Sequence, residues 1–282
     1  MKILLFLAAL FLQSTTIVMA APAISGNIEN IDLNIKDHEL AVTFLSLSKG
    51  EATLIQGSNG ENILVNVGGE GTAVELVRLL SMYDVKEIQQ LILTKANQHN
   101  YEQINGLVLK YHIKQLIALP ATIKAMTEKL DLPKEIVVRS WEEGEKNVLL
   151  PEMMAEVQYA GSAMDEGMDF TLDFFKQRLF LMTSFSHRAE QRLLTKNLGE
   201  IKIFKVPNCS SERSLSEKLI QNINPQIAIL FTADEQLPNL DLVDDLENTW
   251  SEVYSTQQHG TVTIKFTESN YEVFTIPIEE NG

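Results

Sequence analysis

Cysteine is almost missing from this chain. Cys209 is the single one in 282 residues, so no disulfide can form within the molecule. Histidine is scarce too: His38, His99, His112, His187 and His259 are the whole supply, and no two of them form a His-x-His pair. Positive charge is short, with 23 Lys and Arg against 38 Asp and Glu, a net charge of −15. A surface of that sign repels phosphate backbones, so broad nucleic-acid binding is disfavoured. There is no Gly-x-Ser-x-Gly elbow and no Gly-x-x-x-x-Gly-Lys loop. Those absences remove the usual serine-hydrolase and phosphate-loop readings. No internal repeat, low-complexity tract or Pro/Ser-rich linker divides the chain. Beyond residue 20, no apolar run approaches the roughly 20 residues that a membrane-spanning helix needs.

The first 20 residues are of another kind. Lys2 gives a positive start, residues 3–12 are apolar, residues 13–16 are polar, and Val18-Met19-Ala20 is a small-residue cleavage site before Ala21. This is the pattern of a secretory signal peptide, and no cysteine near the cleavage point offers a lipid anchor. The expected product is an exported protein, periplasmic or extracellular, without a membrane span once the signal is removed. Residues 21–39 read as a partly ordered lead-in, and residues 40–282 as one domain.

Within that domain, short apolar runs alternate with amphipathic stretches. Leu91-Ile92-Leu93-Thr94 suits a buried strand, and Lys95 to Asn100 forms a polar loop. Ile104, Leu107, Val108 and Tyr111 then share one helix face, with Asn100 and Gln103 as a plausible capping pair. Gln115-Leu116-Ile117-Ala118-Leu119 reads as the next strand, which completes a βαβ unit. Chemistry in such units sits in loops at the carboxyl ends of strands.

Upstream, residues 40–45, 51–56 and 62–67 form a three-strand meander, with Asn59-Gly60 as one turn. Gly68-Gly69 and Gly71 lead to a helix over residues 73–83. A glycine-rich loop there can cradle an anion, but a tight strand-to-helix turn is the plainer reading. Downstream, helices are expected over residues 120–130, 189–198, 216–223 and 243–250. Strands are expected over residues 135–139, 153–159, 170–175, 177–182, 201–206, 226–231, 252–254, 261–266 and 271–276. The clean alternation of residues 261–266 predicts one solvated face, and Gln258-His259-Gly260 predicts a hairpin turn before it.

These segments resemble a known domain. Phe44-Leu45-Ser46-Leu47-Ser48-Lys49-Gly50-Glu51-Ala52, the strand ending Leu64-Val65-Asn66-Val67-Gly68-Gly69, and Leu91-Ile92-Leu93-Thr94 with Ile104-Asn105-Gly106-Leu107 fit one frame. So do Phe204-Lys205-Val206-Pro207-Asn208-Cys209 and Asn224-Pro225. The frame is similar to the metallo-β-lactamase superfamily, in particular the soluble domain attached to ComEC-type DNA-uptake channel proteins. The resemblance implies a single αββα sandwich: two β-sheets face to face with helices outside.

It also implies a metal centre at positions where this chain carries other residues. Lys95 and Asn97 stand where the family's first two histidines would be, His99 at its aspartate and Asn100 at the next histidine. Ser46 and Asn66 replace aspartates, while Glu51 keeps an acid. Ser184 or Phe185 stands at the bridging aspartate, and Asn208 and Cys209 at two more histidines. By the resemblance, then, Glu51, Asn66, Lys95, Asn97, His99, Asn100, Ser184, His187, Asn208 and Cys209 are candidates to line the cleft, and none is a confident catalytic residue.

A catalytic zinc site needs three protein ligands and an open position for water. His38, His112 and His259 read as surface residues. His99 and His187 fall in loops that the family places at its metals. With Glu102, Glu51 or Cys209 they offer one alternative, a rebuilt single-metal hydrolase of phosphodiester or other ester bonds. A Cys209 nucleophile beside His187 would be another chemistry, and Lys49 and Lys95 could put positive charge where the family has metals. The favoured expectation is a non-catalytic binding or interaction module without a cofactor, zinc entering only under the hydrolase reading. Its partner would be a protein or small molecule. A DNA-uptake accessory is a third possibility, and the acidic charge opposes it.

Overall fold

The computed structural model describes residues 30–95, 101–126, 128–208, 214–231 and 239–277. The expected signal peptide therefore lies outside the described residues. In chain order the elements are β1 (Leu40–Phe44), β2 (Thr53–Gly57), β3 (Asn62–Val65), α1 (Ala73–Met82), β4 (Gln90–Leu93), α2 (Tyr101–Lys110), β5 (Gln115–Ala118) and α3 (Pro120–Met126). Then come β6 (Val137–Ser140), β7 (Lys146–Leu150), β8 (Met153–Ala160), β9 (Met168–Phe174), β10 (Gln177–Leu181), α4 (His187–Leu193) and β11 (Ile203–Lys205). The chain continues with α5 (Glu217–Ile223), β12 (Ile227–Leu230), α6 (Leu240–Asn248), β13 (Glu252–Ser255), α7 (Thr256–His259), β14 (Thr261–Phe266) and β15 (Tyr271–Ile276).

Two sheets result. One has eight strands in the order β15-β14-β1-β2-β3-β4-β5-β6, the other seven in the order β13-β12-β11-β10-β9-β8-β7. Strands β3 to β6 run parallel, as do β10 to β13, and the remaining pairs are antiparallel. Three apolar layers hold the sheets. Val42, Phe44, Ile92, Phe170, Leu172 and Ile203 meet between them. Leu91 and Leu93 face the other way, onto α1 and α2 with Leu76, Leu80, Ile104 and Leu107. Phe180, Phe204 and Ala228 lie under α4, α5 and α6 with Leu193, Leu219 and Leu246. Covering a sheet on both faces is why its strands read as unbroken apolar runs rather than alternating ones. This is the αββα sandwich that the resemblance implied. Among the described residues, no helix is long and apolar enough to cross a membrane.

Several local expectations differ from what is observed. Strand β14 has no solvated face: Thr261 and Thr263 are as buried as Val262 and Ile264. Thr263 Oγ1 shares hydrogen bonds with Thr43 Oγ1 at 3.0 Å and Tyr83 Oη at 2.9 Å, so its alternation reflects a polar layer under α1. Residues 258–260 make no hairpin either. Strand β13 pairs with β12 in the seven-stranded sheet and β14 with β1 in the other, so α7 carries the chain from one sheet to the other. Strand β7 was not anticipated, because its Lys146 and Asn147 continue the polar character of the acidic turn before it. Helix α3 is described over Pro120–Met126, and residue 127 lies outside the described residues.

The glycines after β3 make the plain turn. Gly68 N–H donates to the Glu51 carbonyl at 2.9 Å and Gly69 N–H to the Lys49 carbonyl at 2.8 Å. Gly50, at φ +74°, lies so close that a Cβ would meet Gly69 N at 2.4 Å. Those two amides are spent on the chain itself and do not face a ligand.

Candidate functional site

Carboxyl ends of strands from both sheets converge on one mouth of the sandwich. Sequence local to each strand sets what arrives there. Strand β11 is apolar, with Ile203 facing the other sheet and Phe204 facing the helices. Lys205, two residues after Ile203, must therefore face inward as well. Its ammonium meets Glu51, which the turn before β2 delivers from the opposite sheet, and the two side chains form an ion pair at 5% and 9% exposure. The same ammonium donates to the Met182 carbonyl at 3.0 Å and sits 5.6 Å from the centre of the Phe231 ring.

The peptide that follows Met182 is held from its other end. Asp169, at the start of β9 and fully buried, accepts from Thr183 N–H at 2.6 Å and from Ser184 N–H at 2.8 Å through Oδ1. Lys205 and Asp169 thus grip the two ends of one peptide group, the C=O and the N–H between residues 182 and 183. Oδ2 of Asp169 has no hydrogen-bond partner among the described residues. Burial pushes the Asp169 carboxyl up to about 6, against the pull of its backbone hydrogen bonds and of Lys205.

Lys95 follows β4 and is half-buried. Its stem lies against Gly167, where a Cβ would stand 2.8 Å from Lys95 Cγ and 2.5 Å from the Thr94 carbonyl. Desolvation lowers the pKa of its amine, Glu51 raises it, and Lys205 lowers it further. Thr94 is fixed by Asn66: Thr94 N–H donates to Asn66 Oδ1 at 2.9 Å, and Asn66 Nδ2 donates to Thr94 Oγ1 at 2.9 Å. Asn66 thereby ties the ends of β3 and β4 together.

A second cluster frames the mouth. Glu166 is buried, takes a two-pronged contact from Arg188 and accepts from Ser186 Oγ at 2.8 Å. Arg188, first among these donors, holds the Glu166 carboxyl down at about 2. Ser186 also caps α4, accepting from Ala189 N–H at 3.1 Å. The cluster staples residues 161–167 to the start of α4.

Six of the ten candidate residues have described places. Glu51 and Lys95 belong to the charged centre. Asn66 is the tie between strand ends. Ser184 is buried, its hydroxyl accepting from Gly167 N–H at 2.9 Å. Asn208 is exposed past the end of β11. His187 is exposed and is the first residue of α4 rather than part of a loop. It lines a cavity of about 270 Å³ with Asp165, Phe185, Ser186, Glu190 and Ser214. Asn97, His99, Asn100 and Cys209 lie outside the described residues. His38 Nδ1 meets Glu152 Oε1 at 2.7 Å, and His259 Nδ1 stays on its own turn, 3.1 Å from the Ser255 carbonyl.

Lys205, Asp169 and Glu166 were not singled out beforehand. For Lys205 a signal existed: a lysine at an inward register of an apolar strand. Asp169 and Glu166 had none, because their partners are distant backbone amides and a helix not adjacent in sequence.

No family model matches the chain, and none of the curated proteins matches it in sequence. Its shape does match solved structures. The metallo-β-lactamase fold protein YhfI from Bacillus subtilis aligns at TM-score 0.57 and 11% identity, over 77% of this chain and 95% of that one. The fold is that of the metallo-β-lactamases. Igni18, a metallo hydrolase from the archaeon Ignicoccus hospitalis, gives 0.53 and 10%, over 84% and 100% of the two chains. Zn(2+)-bound PqqB from Methylobacterium extorquens gives 0.53 and 6%, over 77% and 97%.

At such identities the likeness is one of metallo-β-lactamase fold alone. Among the described residues of this metallo-β-lactamase-fold chain, no three His, Cys, Asp or Glu side chains stand together as a metal site. The described centre does not fit a zinc ion either. Glu51 already has a cation, and the Lys205 ammonium beside it would repel a second one.

Proposed function

We propose that this protein is an exported metallo-β-lactamase-fold chain that has lost the usual metal ligands and works as a non-catalytic binding or interaction module. The observation that carries this reading is the buried Glu51–Lys205 ion pair at the mouth of the sandwich. An internal ammonium balances the carboxylate there, so no metal charge is needed to keep the centre neutral. The occupant of the cleft would be a protein segment or a small molecule. Calorimetry with zinc and elemental analysis test this on the mature chain, expected to start at Ala21. The expected result is no stoichiometric metal and no tight uptake. Zinc binding in the nanomolar range would sink the proposal.

One observation supports a second reading, a metal-dependent hydrolase of the phosphodiesterase or nuclease kind rebuilt around His99 and His187. His187 shares its cavity wall with Asp165 and Glu190; these three do not by themselves form a metal site, so this reading needs His99 to complete the donor set. That reading expects turnover that needs metal and disappears in His99→Ala. Equal turnover with and without a chelator would count against it.

A further inference from the structure

Lys95 differs from the other cations of the mouth. Lys205 spends its ammonium on Glu51 and the Met182 carbonyl. Arg188 spends its guanidinium on Glu166. Lys95 forms no hydrogen bond or ion pair with a described residue, and the five residues that follow it in the sequence, Ala96-Asn97-Gln98-His99-Asn100, include no carboxylate. The root of its side chain packs against Gly167, where a Cβ would stand 2.8 Å from Lys95 Cγ, and its amine has no counterion in contact among the described residues. It borders a cavity of about 30 Å³ with Thr94, Thr122, Gly161, Ser162, Ala163, Met164 and Glu166. That space takes a water molecule and no more. Ser162, Ala163 and Met164 are exposed at its rim, which leaves the outer side open for a larger group.

We propose that Lys95 is a covalent capture site for small carbonyl compounds, aldehydes or α-keto acids, which it binds as an imine. Lysines suited to this are desolvated or feel another cation, and burial and the charge of Lys205 both act on Lys95 in that direction. The groups acting on it are Glu51, Asp169 and Asp165, which favour its charged form, and burial with Lys205, which oppose it; the net direction is toward free amine. In the reaction the Nζ lone pair forms the C–N bond and the carbonyl π pair moves to oxygen. Both nitrogen protons pass to that oxygen, which leaves as water, so no oxidant or reductant is consumed. The proposal rests on the metal-free reading of the mouth, and the two fail separately: calorimetry with zinc reads one, and lysine labelling reads the other.

Glyoxylate with cyanoborohydride at neutral pH, followed by peptide mapping, makes the test on the whole folded protein. Reduction of an imine leaves a permanent mark on the lysine that formed it. Lys95 is expected to label several-fold faster than exposed Lys110 and Lys124, and in urea that preference should vanish. Lys95→Met should lose the fast label and still unfold cooperatively, since it removes an amine with no hydrogen-bond or ion-pair partner among the described residues. Labelling of Lys95 at or below the rate of Lys110 and Lys124 in the folded protein overturns the proposal.

Discussion

Lys205→Met is expected to lower the unfolding free energy by about 3–5 kcal/mol, because it strands a carboxylate inside the protein. Glu51 is 9% exposed on its side chain and has Lys205 as its ion-pair partner. Methionine fills the lysine stem's volume but supplies neither the charge nor the donor to the Met182 carbonyl. The loss is a large part of the roughly 5–15 kcal/mol that holds a typical domain. Urea unfolding followed by circular dichroism reads it as a lower midpoint. The comparison that gives the result meaning is Lys86→Ala. That pair with Asp84 is 76% and 56% exposed, and breaking it should cost less than about 1 kcal/mol. Similar effects for the two variants would show that the buried pair is not what holds the mouth together.

The second large effect is a dependence on pH. Asp169 is raised from 3.8 to about 6, first by burial, and a rise of that size corresponds to about 3 kcal/mol. Its folded pKa lies above its unfolded one, so the stabilisation is complete below about pH 4. It is lost as pH rises through about 6. Lys205 is the cation that pulls against this rise. Glu166 works in the opposite sense and elsewhere: its carboxyl is held at about 2, so its contribution disappears only in stronger acid, below about pH 4.5. Asp169→Asn keeps an oxygen for Thr183 and Ser184 N–H and removes the proton. Melting temperature across pH 4–8 is the measurement. The wild type should lose stability between pH 4 and 6 relative to Asp169→Asn, and parallel curves for the two would refute the assignment.

Much of the frame can be read from residues, and the exceptions have physical causes. Runs such as Leu91-Ile92-Leu93 are apolar because both faces of the sheet are covered, and they read as strands without ambiguity. Thr261 to Phe266 misleads for the opposite reason. Its threonines bond to Thr43 and Tyr83 inside the protein, and a polar layer in the interior looks in sequence like a surface. The turn at 258–260 misleads because adjacency in sequence says nothing about which sheet receives the next strand.

At the mouth, the residues that arrive by resemblance are half the story. Glu51 and Lys95 were legible as positions, but their meaning depends on Lys205, 154 residues beyond Glu51. Pairings of that kind are set by tertiary register, which no local pattern encodes. The Glu166–Arg188 staple is shorter, 22 residues, and it too is invisible until residues 161–167 and α4 are placed side by side.

The order of strands in the eight-stranded sheet also fixes when the fold can close. Strand β1 is made before the rest of its sheet, yet one of its two neighbours is β14, and Thr43 finds Thr263 across a gap of 220 residues. Until that segment has been synthesised, β1 keeps a bare hydrogen-bonding edge, and bare edges invite pairing with other chains. Contacts this distant in sequence also slow folding, since the loop must be closed before they form. A chain cut short before β14 would carry every strand of the seven-stranded sheet and still leave the other unfinished at its first strand. Completion of that sheet therefore waits on residues synthesised some 220 positions after the strand they complete.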